Sequence, residues 1–169
     1  KEQVAQRLAA VQGNNSVAGL NKSDIDKPYN VGYIAGVFDL FHIGHLNMFK
    51  RAKEQCRYLI VGVVSDEGVR LNKQAEPFVP FDERIEMVRS CKYVDEAIKL
   101  PLDFCGTRDM FKIYHFDVQF SGSDYEHDPA WLAEKEFLEK NGSTMVFFPY
   151  TQSTSSTKLK KAIENRINN

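Results

Sequence analysis

The chain reads as an α/β protein, a Rossmann-like open parallel sheet of about five strands with flanking helices. Three observations predict this. Val31–Val37 and Tyr58–Val64 are continuous apolar runs, as in strands covered on both faces. A helical pattern, Ile43–Gln55, joins them, so strand, helix and strand make one right-handed βαβ unit. The same alternation then continues to the C-terminus, as expected of strands joined by helical crossovers.

Taken in order, Lys1–Val11 carries Val4, Ala5, Leu8, Ala9 and Val11 at helical spacing, predicting a short amphipathic helix. Gly13-Asn14-Asn15-Ser16 ends it, and the composition up to Asn30 is that of a linker or draped arm. Residues 1–30 are therefore expected to be an N-terminal helix and arm, and residues 31–169 one folded domain. After the first βαβ unit, Ser65-Asp66 closes the second strand, and Glu67–Val79 reads as a polar loop carrying Lys73. Pro80–Cys91 reads as a helix, with Pro at its start and Asp82 and Glu83 in the first turn. Tyr93–Leu100 is a third strand, and Pro101–Tyr114 an irregular-to-helical crossover. Val118–Phe120 begins a fourth strand that stops at Ser121-Gly122-Ser123-Asp124-Tyr125. Pro129–Lys140 is a helix with Trp131, Leu132, Phe137 and Leu138 inward, ended by Asn141-Gly142. Thr144–Phe148 is a fifth strand, and Thr154–Thr157 offers N-caps for a last helix, Lys158–Ile167.

Composition narrows the function classes. Hydrophobic content of 43% and charged content of 27% are those of a globular protein, and 169 residues leave room for a real core. A formal net charge of −1 gives no overall electrostatic case for nucleic acid or a bilayer. No apolar run approaches the roughly 20 residues that span a membrane, and the start lacks a signal-peptide pattern. Cys56, Cys91 and Cys105 have neither CxxC nor zinc spacing and read as reduced thiols of a cytoplasmic protein. The first residue is Lys, as in a processed chain or a segment of a longer one.

Three stretches can carry chemistry. In Tyr33–Arg51 (YIAGVFDLFHIGHLNMFKR) a strand runs into a tight loop that opens a helix, and a helix N-terminus suits an anion such as phosphate. His42 and His45, three apart, share one face of its first turn, and Gly44 lets a ligand approach the backbone. The bland alternative is a capping or core histidine pair. Zinc is a rival reading, but it usually needs a third protein ligand, and His115 and His127 lack suggestive spacing. Second, Thr151–Lys158 repeats the strand-to-helix geometry with hydroxyls that can bind more phosphate, or merely cap the helix. Third, in Gly122-Ser123-Asp124-Tyr125 an acidic residue past a strand end can hold a ribose hydroxyl, a base amine or a metal ion, though these are also turn formers. Lys73 and Arg84 are cations within reach of phosphates, and solvated surface roles are the alternative.

These residues together resemble a known family. GVFDLFHIGH is similar to the signature of the HxGH nucleotidyltransferase superfamily, Lys92-Tyr93-Val94-Asp95-Glu96 to the RYVDE segment of its cytidylyltransferase branch, and TQSTSSTK to that branch's RTEGISTT motif. The resemblance runs from about Tyr33 to Ile167, with the motifs in order, and lies nearest to glycerol-3-phosphate and phosphocholine or phosphoethanolamine cytidylyltransferases. It implies that 31–169 is a nucleotidyltransferase domain. By position, it implies that His42, His45 and Lys73 are catalytic, with the histidines stabilising charge on the α-phosphate. Gly36, Val37, Phe38, Asp39, Gly44, Asp124, Thr151, Ser155, Ser156 and Thr157 would bind the nucleotide, and Lys73, Arg84 and Tyr125 the second substrate. It also implies Mg²⁺ on the triphosphate with no protein metal ligands, and a homodimer whose interface includes the segment of Asp95. Three departures stand out: Tyr150 takes the place of the arginine of RTEGISTT, with Lys158 a candidate replacement, Ser123 replaces the first Asp of the GDD turn, and Lys92 the Arg of RYVDE.

The implied reaction moves CMP from CTP to a phosphorylated small alcohol, glycerol 3-phosphate in first place, releasing pyrophosphate without a covalent intermediate. Phosphocholine or phosphoethanolamine is the alternative acceptor; Tyr125, Trp131 and Tyr150 could form part of an aromatic cage for a quaternary ammonium. An adenylyltransferase and a non-catalytic nucleotide-binding module are further alternatives.

Overall fold

The computed structural model describes residues 26–100, 106–151 and 153–168, together with Gln6. The expected helix Lys1–Val11, most of the arm, and Pro101–Cys105 lie outside the described residues. Five strands form one parallel sheet in the order β3-β2-β1-β4-β5. They are β1 (Tyr29–Gly36), β2 (Cys56–Val64), β3 (Glu96–Leu100), β4 (Val118–Gly122) and β5 (Thr144–Phe148). The helices are α1 (Ile43–Gln55), α2 (Asp66–Lys73), α3 (Phe81–Arg89), α4 (Thr107–Tyr114), α5 (Pro129–Lys140) and α6 (Ser156–Ile167). The predicted Rossmann-like fold is the observed one.

Strand residues alternate between two cores. Ile34, Leu59, Val61, Val63, Val118 and Phe120 pack on one face with Phe49 and Ala52 of α1 and Ile85 and Val88 of α3. Val31, Tyr33, Ile60 and Met145 pack on the other with Met110 of α4, Phe116 and Leu138 of α5. Burial on both faces is the reason the strands read as unbroken apolar runs.

α1, α5 and β5 have the bounds that the sequence predicts. Elsewhere the limits differ for identifiable reasons. β1 starts at Tyr29, two residues early, because the Asp117 carboxylate accepts from Asn30 N–H and Val31 N–H and fixes that entry. The stretch expected to be a polar loop contains α2: Ser65 accepts from Gly68 N–H as N-cap, Asp66 and Glu67 occupy the first turn, and Gln74 in the left-handed region ends it. Its apolar content is too low for periodicity to reveal it, whereas the caps do. β3 begins at Glu96 because the residue before it is spent on a side-chain link. Asp95 accepts from Leu59 N–H at 2.7 Å and pairs with Lys53 at 2.5 Å. No helix among the described residues is long and apolar enough to cross a membrane.

The strand order reverses direction between β1 and β4, the first crossing to β2 and β3 and the second to β5. In open α/β sheets the crevice beyond the carboxyl ends of the strands at such a switch point is where ligands bind.

Candidate active site

Two adjoining cavities, of about 280 and 350 Å³, open at that switch point. Ala35, Gly36, Val37, Tyr125 and Trp131 line both. The first extends over the N-termini of α1 and α6, and the second runs to the end of α2 and the start of α4.

The turn after β1 is built around Asp39. Phe38 and Leu40 on either side of it have φ of 55° and 49°, a left-handed conformation that costs a bulky residue roughly 1–2 kcal/mol. Asp39 is 3% exposed, and its carboxylate accepts from Phe78 N–H and Val79 N–H, each at 3.0 Å, and pairs with Lys160 of α6 at 3.1 Å. Burial alone would raise its pKa, but those two N–H groups and Lys160 outweigh it and hold the carboxyl below the usual carboxylate range. The residue expected to bind nucleotide is thus fully engaged by protein and lies outside the cavity lining. Arg84 needs the same correction. It is 1% exposed and donates to the carbonyls of Val37, Val64 and Val79 and, at 2.6 Å, to the Asp66 carboxylate. It braces the ends of β1 and β2 and lines neither of the two cavities.

The two histidines hold each other in place. His42 is the N-cap of α1: its Nδ1 accepts from Gly44 N–H at 3.0 Å, while His45 Nδ1 accepts from His42 N–H at 3.3 Å. The rings stack with centroids 3.9 Å apart, and Phe38 packs edge-on against His45. An Nδ1 that accepts carries no proton, so each neutral ring presents its proton on Nε2. Burial lowers the pKa of His42. Burial, then the neighbouring His42, bring His45 down to about 4, against the opposing pull of Asp39. Both rings are neutral donors at pH 7. Gly44 serves this arrangement before it serves a ligand: a Cβ there would lie 2.7 Å from His42 Cε1 and 2.9 Å from Nδ1.

α6 supplies the opposite lip. Thr151, Thr154, Ser156 and Thr157 line the first cavity. The Ser156 hydroxyl donates to the Asp39 carbonyl at 2.8 Å, which ties this lip to the α1 turn. Ser155, expected to touch phosphate, is instead the buried N-cap whose Oγ accepts from Lys158 N–H. Lys158 is absent from the residues that line the cavity. Asp124 does line it, because Gly122 has no Cβ to collide with the Asp124 carboxylate folded over the strand end. Lys73, at the end of α2, lines the second cavity with Asn72. It therefore stands across the shared wall from the histidines. Sequence reasoning missed Met48 and Arg51 of the first cavity, although with His45 they form a three-residue spacing along α1. Trp131, expected to point inward and offered with Tyr125 and Tyr150 as part of an aromatic cage, stacks its indole on Tyr125 with centroids 4.5 Å apart at the shared wall.

No three His, Cys, Asp or Glu among the described residues converge on a metal-sized site. One carboxylate, Asp124, lines the first cavity. That donor set fits Mg²⁺ carried by phosphate oxygens and water better than a closed protein cage.

A family model described as cytidylyltransferase-like matches residues 33–162. The chain belongs to that family. It is 37% identical over 139 residues to an FAD synthase of Thermococcus kodakarensis, covering 79% of this chain and 89% of that protein. It is 41% identical over 138 residues to an ethanolamine-phosphate cytidylyltransferase of Dictyostelium discoideum, covering 80% of this chain but 38% of that longer protein. A glycerol-3-phosphate cytidylyltransferase of Bacillus subtilis is 32% identical over 128 residues, covering 76% and 92%. Among solved structures, the lipopolysaccharide core biosynthesis protein of Thermoplasma volcanium superposes with a TM-score of 0.60 at 25% identity, over 75% of this chain and 99% of that one.

Replacing Arg84 with Met leaves three carbonyls without its N–H donors and the partly exposed Asp66 with Phe81 N–H but no cation; stability in urea should fall by about 3 kcal/mol. An unchanged midpoint would refute the brace. For His45 the folded pKa of about 4 lies below the ordinary value of 6.5, so between them the unfolded chain binds more protons. Its contribution is present above pH 6.5 and is lost as pH falls towards 4. The slope of urea stability against pH over that window should be shallower in His45→Gln than in the unmodified protein, and parallel slopes would contradict the assignment.

Proposed function

We propose that the protein transfers CMP from CTP to a phosphorylated small alcohol, glycerol 3-phosphate being the best match, and releases pyrophosphate. The observation that carries this reading is the pair of cavities meeting at Gly36 and Val37, one edged by helix N-termini and two neutral imidazoles, the other by Lys73. The nucleotide would lie in the first, with its α-phosphate at His42 and His45. The acceptor would lie in the second, its phosphate drawn by Lys73.

The second wall supports that choice of acceptor class. Among the described residues lining it Lys73 is the one charged group, and there is no carboxylate to meet an ammonium. Tyr125 and Trp131 stack on each other, so each has one face already covered. Asn72, Thr107 and Gln119 offer partners for hydroxyl groups instead. Both points favour a polyol phosphate over phosphocholine or phosphoethanolamine.

In the transfer, an acceptor phosphate oxygen forms a bond to the α-phosphorus as the bond to the bridging oxygen of the β-phosphate breaks in line, and pyrophosphate leaves. His42 and His45 donate Nε2–H to the oxygens that gain charge, and the N-terminal ends of α1 and α6 add their positive dipole ends. Because both rings are fixed by reciprocal backbone bonds, little reorganisation accompanies that charge build-up. Mg²⁺ bound to the triphosphate would offset charge on the leaving pyrophosphate, with Asp124 the carboxylate on that wall. The segment of Asp95 is proposed to contribute to a homodimer, as the resemblance implies, alongside its link to Leu59 and Lys53.

The FAD synthase likeness favours a second reading, since FAD contains an adenylyl half: transfer of AMP from ATP to a flavin phosphate. One assay separates them. Pyrophosphate release is followed with CTP or ATP against glycerol 3-phosphate, phosphocholine, phosphoethanolamine and FMN. CTP with glycerol 3-phosphate is expected to dominate, turnover confined to ATP with FMN would replace the first reading by the second, and nucleotide binding without turnover for any acceptor would overturn both. In the productive combination, His45→Ala should lower kcat by roughly 10²–10³-fold, the loss typical of a key charge-stabilising donor. Undiminished kcat in that variant would remove His45 from the mechanism.

A further inference from the structure

The first cavity is nearly free of cations. Among the described residues that line it, Arg51 is the one positively charged side chain and Asp124 the one negatively charged. A nucleoside triphosphate brings about four negative charges, more than two helix N-termini of roughly half a charge each offset. Arg51 lies on the cavity-facing stripe of α1, three residues beyond Met48 and six beyond His45. Its Nη1 donates to Pro149 O at 2.9 Å, and no carboxylate among the described residues pairs with it. One turn earlier, Asn47 Nδ2 donates to Thr151 Oγ1 at 3.4 Å. α1 therefore grips the chain on both sides of Tyr150, and the Arg51 guanidinium lies against the loop at the position where the tail motif would carry its arginine.

We propose that Arg51 binds the triphosphate, supplying from α1 the cation that position 150 does not. The inference rests on the nucleotidyl-transfer reading and adds a residue to it. A guanidinium with one donor held by a backbone carbonyl keeps its planar fork oriented while four donors stay available to phosphate oxygens. Reach from a neighbouring helix in place of a loop also explains why an aromatic is tolerated at position 150.

The test is calorimetric binding of CTP and CMP, and of ATP and AMP, to the unmodified protein, Arg51→Met, Arg51→Lys, and Arg51→Met combined with Tyr150→Arg, all with Mg²⁺ present. Arg51→Met should weaken triphosphate binding about 10- to 100-fold, the scale of losing a charge-assisted contact, and monophosphate binding by much less. Arg51→Lys should fall between. Adding Tyr150→Arg to Arg51→Met should recover most of the loss, which a purely structural role of Arg51 would not allow. Equal losses for triphosphate and monophosphate, no loss at all, or failure of that recovery in a double variant that melts like Arg51→Met would each overturn the role of Arg51. Failure of the unmodified protein to bind either triphosphate would instead overturn the nucleotidyl-transfer reading.

Discussion

A single buried carboxylate joins the three segments that must meet for the crevice to exist. Asp39 receives two N–H groups from the Phe78–Val79 segment, the Lys160 ammonium from α6, and through its own carbonyl the Ser156 hydroxyl. It sits between two residues whose left-handed backbone is unfavourable for any side chain with a Cβ. Such a turn persists because its partners over-determine it. Without it the chain could leave β1 in an easier conformation, and the N-terminus of α1 would no longer face that of α6. The Asp39 charge is met by protein donors, and the carboxylate lies outside the lining of the first cavity.

The electrostatic strategy of the first cavity follows from that economy of charge. Burial favours the neutral form of both imidazoles, and the backbone N–H groups aimed at Nδ1 leave the remaining proton on Nε2. A neutral donor fixed in direction stabilises charge that appears during transfer more than charge already present, which is the difference that accelerates a reaction. An imidazolium pair 3.9 Å apart would repel itself and would break both caps. The helix start and the donor pair are one device: the bonds that satisfy the first N–H groups of α1 also select the tautomer.

How far the sequence reveals this depends on whether a residue's partners are local. The His42-Ile43-Gly44-His45 turn is legible because its hydrogen bonds span two or three residues, and α5 because Asp128, Pro129 and Gly142 punctuate it. Arg84 and Asp39 are not: the groups they serve lie between 5 and 121 positions away, so a cation and an anion near a phosphate site look like ligands until burial shows otherwise. Gly44 is legible as a close approach, but the thing approaching it is the His42 ring. Ser155 and Ser156 differ by one position and by role, cap against cavity wall, and only the φ of the helix start separates them. Arg51 carries a usable signal in its spacing from His45 and Met48 along α1.

The wall shared by the two cavities separates two differently built halves of the crevice. The first cavity is formed at strand and helix ends, with the imidazoles of His42 and His45 and the side chains of Arg51 and Asp124 set on that backbone. The second cavity takes Lys73 from α2, Thr107 from α4 and Gln119 from the interior of the sheet. Those positions can change without disturbing Asp39, Arg84 or the histidine caps, since none of them takes part in that network. A scaffold so divided can exchange acceptors while keeping its chemistry. Under the proposed transfer the acceptor is read from the second wall, where this chain sets Lys73 beside Asn72, Thr107 and Gln119.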